Sequence, residues 1–146
     1  MPEAGEKKSG DNRRRARKTH RAIRGQHREE RREDYVETVY RMEQKGKVPR
    51  VVDLQKVFAV SHVTVIRAVE KLESENLLTR DDEGIKLTSA GRSLGKKCYE
   101  RHRLVESFLL SLGISEDTAS RDAEGIEHHL SPESLAAMRR ALKSQI

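Results

Sequence analysis

Apolar residues are unevenly spread along this chain. Residues 1–28 hold almost none and include Gly5, Gly10 and Gly25, so an arm without a packed core is expected there, with helix beginning no earlier than Arg21. From Glu29 a helical rhythm sets in. Tyr35, Val36, Val39, Tyr40 and Met42 recur at roughly helical spacing, and Gly46 and Pro49 close that helix. Residues 51–58 spell two further turns, with Val51, Leu54, Val57 and Phe58 expected inward. After the short Ala59-Val60 link, Ser61 is placed to cap a helix running to Asn76, with Val65, Val69 and Leu72 toward the core. Residues 77–80 and 85–87 are short and extended in character around Asp81-Asp-Glu-Gly84, the pattern of a β-hairpin. Thr88-Ser-Ala-Gly91 opens a long helix to about Leu112, carrying Leu94, Tyr99, Leu104, Phe108 and Leu109, and Gly113 stops it. Ser115 caps another helix to about Leu130, and Ser131-Pro132-Glu133 starts the last one with Pro at the permissive first position.

Three helices, a hairpin and three more helices predict a mainly α fold: an N-terminal winged helix-turn-helix with a β-hairpin wing, followed by a C-terminal helical dimerisation domain. The expected boundaries are a basic arm over 1–28, the DNA-binding domain over 29–90 and a helical metal-binding and dimerisation domain over 91–146. In such a fold the second helix of the pair enters the major groove. Its outward face carries Ser61, His62 and Thr64 at the end that meets base edges, then Arg67 and Lys71 within reach of phosphates. A solvated amphipathic helix would show a similar face, but the hairpin and the basic arm favour DNA.

Charge sharpens that picture. Residues 1–32 carry 12 Lys or Arg against 5 Asp or Glu, whereas the remainder carry 18 against 19. The basic character therefore lies in the arm, where it suits a polyanion such as DNA. With no Trp, three Tyr and two Phe among 146 residues, the core is small, and dimerisation is an expected way to extend it. Cys98 is the lone cysteine, so no intramolecular disulfide can form and a reducing cytoplasm is expected. No apolar run approaches the ~20 residues of a membrane span.

One stretch, Asp122-Ala-Glu-Gly-Ile-Glu-His-His129, is dense in cation-binding groups. Glu124, Glu127 and His128 stand at i, i+3 and i+4, the spacing of one helix face. Asp34 and Glu37 stand i, i+3 on the first helix, and His102 lies on the long helix, four residues beyond Cys98. An Asp-x-x-Glu pair is usually a solvated face and a lone histidine is seldom a ligand. Close carboxylates, however, repel one another unless something positive sits among them. Four carboxylates and two imidazoles suit Mn²⁺ or Fe²⁺ rather than thiophilic ions, and four carboxylates could hold two of them, so Mn(II) is expected at two per subunit. Fe(II), Co(II), Cd(II) and Zn(II) are expected substitutes. A dinuclear metalloenzyme could use such a set, but no separate nucleophile or general base stands out.

The chain resembles the manganese-dependent transport regulators of the diphtheria toxin repressor family. The resemblance runs from about Arg32 to the C-terminus, and its most specific pieces are Asp34-Tyr-Val-Glu37, Arg101-His-Arg-Leu-Val-Glu-Ser-Phe-Leu109 and Asp122-Ala-Glu-Gly-Ile-Glu-His-His-Leu-Ser131. It implies a metal set of Asp34, Glu37, His102, Glu124, Glu127 and His128, all present here as acceptable ligands. It further implies a homodimer that binds double-stranded operator DNA, shuts off metal-uptake genes when Mn(II) is bound, with activation of export genes as a further output, and is not an enzyme. The long basic arm departs from the compact members of the family.

Overall fold

The computed structural model describes residues 31–145, and Glu33–Ile146 make up one compact unit. The basic arm expected over 1–28 lies outside the described residues. Helix α1, described over 31–44, turns Tyr35, Val36, Val39 and Tyr40 into the core. Helix α2 (Val51–Phe58) follows, with the Arg50 N–H donating to Asp53 Oδ2 at 2.8 Å to fix its first turn. Tyr35 stacks on Phe58 with ring centroids 4.3 Å apart, tying α1 to α2. Leu54 is fully buried, but Val57, expected inward, is 51% exposed. Two turns of helix present only one narrow stripe, and Leu54 with Phe58 fills it.

Ala59 adopts a left-handed conformation (φ 52°) that ends α2 and turns the chain sharply into α3 (His62–Ser74). Ser61 caps α3 by accepting the Thr64 N–H at 3.2 Å, and Val65, Val69 and Leu72 are buried. Strands β1 (Leu78–Asp81) and β2 (Gly84–Leu87) pair antiparallel, with Leu78 opposite Leu87 and Arg80 opposite Ile85. Asp81 Oδ1 accepts the N–H of Glu83 (2.9 Å) and of Gly84 (3.2 Å), so the turn is tighter by one residue at each end than the sequence suggested.

Helix α4 (Ser89–Ser111) starts under the hairpin. The Thr88 hydroxyl donates to the Asn76 carbonyl (2.7 Å) and accepts the Gly91 N–H (3.0 Å). Gly91, Gly95, Cys98, His102 and Val105 form its buried stripe at alternating steps of four and three. Small residues let it approach closely: a Cβ on Gly91 would lie 1.9 Å from the Leu77 carbonyl oxygen, and one on Gly95 would lie 2.7 Å from Tyr40 Cβ. Helices α5 (Glu116–Ile126) and α6 (Pro132–Lys143) both pack on α4. Between them Glu127–His129 wind into a 3₁₀ turn, so the α-helix expected to reach Leu130 stops at Ile126. The fold is the expected mainly helical one, with the helix-turn-helix, the hairpin wing and the C-terminal helices in order. Among the described residues no helix is long and apolar enough to cross a membrane.

Candidate metal centre and nucleic-acid interface

The stripe on α4 carries His102 inward, α1 presents Asp34 and Glu37, and the 3₁₀ turn drives Glu127 into the interior. The result is two sets of donors. Asp34, Glu127 and His128 form one and Glu37, His102 and Glu127 the other, the offered atoms within each set lying within 4.8 Å of one another. Glu127 belongs to both. Its Oε1 is 3.5 Å from His102 Nδ1 and 3.5 Å from His128 Nε2.

Burial makes the arrangement costly without a cation. Glu127 is 1% exposed, and its Oε2, His102 Nδ1 and His128 Nε2 are buried with no hydrogen bond. His128 Nε2 does approach Asp34 Oδ1 to 2.9 Å, as a charge contact without hydrogen-bond geometry. Two unpaired imidazole nitrogens and an unpaired carboxylate oxygen are what a divalent ion would satisfy. The far nitrogens are engaged instead: His102 Nε2 lies 3.2 Å from Glu106 Oε2, and His128 Nδ1 lies 3.0 Å from Glu33 Oε2.

The electrostatics agree. Burial pushes the Glu37 carboxyl up, and the charge of Glu127 pushes it further, although Arg41 offsets part of this through a 2.8 Å contact. His102 is raised chiefly by Glu127, against the opposing effect of burial. Burial alone would lower His128, but Asp34 and Glu33 outweigh it and carry the ring to about 10. Both imidazoles are raised because carboxylates crowd around them, the mark of a site rich in negative charge. Cys98 stands beside the centre without joining it. Burial, then the Glu33 charge, lifts its thiol to about 12, and its Sγ lies 3.7 Å from Glu33 Oε2.

Five of the six residues singled out in the sequence are therefore brought together. The sixth, Glu124, is exposed and belongs to neither set. The reason is local. Glu124 lies on the exposed face of α5, whereas Glu127 and His128 follow on the 3₁₀ turn after α5 has ended, where the α-helical relation among these positions no longer holds. Glu33 and Glu106 were missed. The available signal was i, i+4 spacing, Glu33 with Glu37 and Glu106 with His102.

Ser61 at the N-cap of α3 and His62, Thr64, Arg67 and Lys71 within it are all exposed. Ser61 is already engaged as the helix cap, its Oγ also 3.0 Å from Thr64 Oγ1.

Comparison with known proteins matches two family descriptions to the chain. "Iron dependent repressor, N-terminal DNA binding domain" covers residues 28–83, and "Iron dependent repressor, metal binding and dimerisation domain" covers residues 88–144. The transcriptional regulator MntR of Escherichia coli O6:H1 is 40% identical over 120 residues, 82% of this chain and 77% of that protein. Among solved structures, the manganese regulator SloR superposes with a TM-score of 0.68 at 29% identity over 77% of this chain. ScaR with bound Zn²⁺ superposes with a TM-score of 0.66 at 30% identity over the same share. The chain spans about half the length of these two solved proteins, 53% of each. Both halves of the match, with a 40% identical regulator across four-fifths of its length, show that the chain belongs to the iron dependent repressor family, that of the diphtheria toxin repressor.

Proposed function

We propose that this chain is a manganese-responsive, DNA-binding transcriptional regulator that works as a cytoplasmic homodimer, with Mn(II) as corepressor at metal-uptake genes and activation of export genes as a further output. The observation that carries the reading is the pair of donor sets sharing Glu127, with three buried donor atoms orphaned. Asp34, Glu37, His102, Glu127 and His128 would hold the ions, two per subunit, one per set. Fe(II), Co(II), Cd(II) and Zn(II) fit the same mixed oxygen and nitrogen donors. A bound divalent cation supplies the positive charge that relieves repulsion among the buried carboxylates. Glu124 is proposed as a sixth donor, and Glu124→Ala tells whether its exposed carboxylate joins either set.

The chain's own geometry couples this centre to DNA. Helix α1 carries Asp34 and Glu37 and, on its other side, Val36, Val39 and Tyr40 of the helix-turn-helix core. Drawing α1, α4 and the 3₁₀ turn together fixes where α3 points. We assign the DNA-binding domain to 29–90 and the dimerisation domain to 91–146. In a two-fold dimer the α3 helices must stand about 34 Å apart to meet successive major grooves. Without the tie, affinity falls by the fraction of molecules in that spacing. Ser61, His62 and Thr64 would face base edges, with Arg67 and Lys71 on phosphates. A filter or fluorescence assay on operator DNA should show retention that rises with Mn²⁺ and is abolished by chelator. Retention indifferent to chelator would leave a plain winged-helix regulator.

The dimer reading rests on apolar surface left open in one chain. No residue of α6 is buried, and Leu110, Leu112 and Ile126 are 38%, 59% and 39% exposed. Sedimentation should give a dimer at micromolar concentration; a stable monomer with and without Mn²⁺ would contradict it. The basic arm, by its composition, should add affinity without sequence preference, so deleting residues 1–28 should flatten the salt dependence of DNA binding. An unchanged slope would mean that the arm does not touch DNA.

A further inference from the structure

Glu33 belongs to neither donor set, yet its Oε2 gathers three neighbours: the Arg101 guanidinium, His128 Nδ1 at 3.0 Å and Cys98 Sγ at 3.7 Å. We propose that Glu33 is a positioning residue of the centre, accepting the His128 Nδ1–H and so aiming Nε2 at Asp34 and Glu127, while Arg101 holds the Glu33 carboxylate in place. This rests on the metal reading given above.

An imidazole can offer one nitrogen to a cation only while its other nitrogen keeps the proton. His128 Nε2, 2.9 Å from Asp34 Oδ1 and 3.5 Å from Glu127 Oε1, is the nitrogen that faces the donors. The proton must then sit on Nδ1, and it needs an acceptor. Two groups compete for that nitrogen. Arg101 Nη2 is 3.2 Å away, but a guanidinium only donates, so pairing with it would require a bare Nδ1 and leave an N–H on Nε2. Glu33 Oε2 is nearer, at 3.0 Å, and is an acceptor. Arg101 donates to the same oxygen, so its charge supports the carboxylate instead of claiming the ring. The site is sheltered: the side chains of His128, Arg101 and Glu33 are 3%, 15% and 17% exposed. His102 is held in the mirror sense, its Nε2 against Glu106 and its Nδ1 toward Glu127.

The test uses full-length protein, Glu33→Ala and Glu33→Gln. Mn²⁺ affinity is read by competition with a fluorescent chelator, and the His128 ring nitrogens by ¹⁵N NMR of protein loaded with diamagnetic Zn²⁺. Glu33→Ala should weaken Mn²⁺ binding by about 10–100-fold, the usual consequence of losing a carboxylate behind a histidine ligand. Glu33→Gln keeps an oxygen that can accept both donors and should lose only a few-fold, a rescue that a mere charge role would not give, while the ring-nitrogen signals separate positioning from packing. The Zn²⁺-loaded parent should carry its proton on Nδ1 and the metal on Nε2, and so should Glu33→Gln, which carries the test if Glu33→Ala does not fold. An unchanged affinity in Glu33→Ala, equal losses in both variants, or a proton on Nε2 would overturn the assignment while leaving the metal reading intact. A parent that binds no Mn²⁺ would overturn both.

Discussion

Glu127→Ala should raise the Mn²⁺ concentration needed for half-maximal DNA retention by about 100-fold or more, since even residues behind a ligand typically cost 10–100-fold. The expectation follows from its double membership: it alone serves both donor sets, so one substitution removes a donor from each. The metal-free fold should survive. The lost carboxylate has an oxygen without a hydrogen bond, and its charge is one of the influences that push Glu37 up. The parent should melt higher with Mn²⁺ present, by an amount equivalent to roughly 2.7 kcal/mol when the ion is at 100 times its Kd, whereas the variant should gain little at that concentration. Thermal melts with and without Mn²⁺, beside the DNA titration, check both halves. A variant that answers Mn²⁺ like the parent would remove Glu127 from the site and with it the link between the two sets.

A second large effect is expected far from any ligand. Gly91→Ala should destabilise the protein by about 3 kcal/mol, the upper end of ordinary overpacking costs. For a unit of this size that is a fall in Tm of roughly 10 °C. The added methyl would stand 1.9 Å from the Leu77 carbonyl oxygen and 3.2 Å from Leu87 Cδ2. Leu77 cannot yield easily, because its carbonyl accepts the Thr88 N–H at 3.1 Å, and Thr88 in turn caps α4. The gain of about 1 kcal/mol from replacing a helical glycine does not offset such a clash. Calorimetry decides it: an unchanged Tm would mean that the hairpin and α4 are not packed this closely.

Much of this was legible in the chain because local chemistry and global fold agree. Ser61, Thr88 and Ser131 each precede a helix that their hydroxyl caps. The hairpin was legible because Asp81 and Gly84 are turn formers between two apolar runs. Less legible was where one periodicity gives way to another. Glu124 and Glu127 stand at helical spacing, but α5 ends at Ile126 and Glu127–His129 form a 3₁₀ turn. Val57 fits an apolar pattern yet faces out, since pattern alone does not say how wide a stripe the core will cover. Glu33 carried only one local sign, its i, i+4 spacing to Glu37. Its partners Arg101 and His128 lie 68 and 95 residues away, a juxtaposition that only tertiary packing creates.

The side chains proposed to read DNA lie on the exposed face of α3 and at its N-cap, and the proposed metal donors lie on α1, α4, α5 and the 3₁₀ turn, without a residue in common. The two recognition codes can therefore diverge on separate evolutionary schedules. A lineage could retarget its operators by drift at His62, Thr64 or Arg67 while its ion preference stands still, or retune the ion without rewriting its regulon. Grafting residues 61–71 from another family member should accordingly yield a chimera that obeys the donor's operator and the recipient's metal.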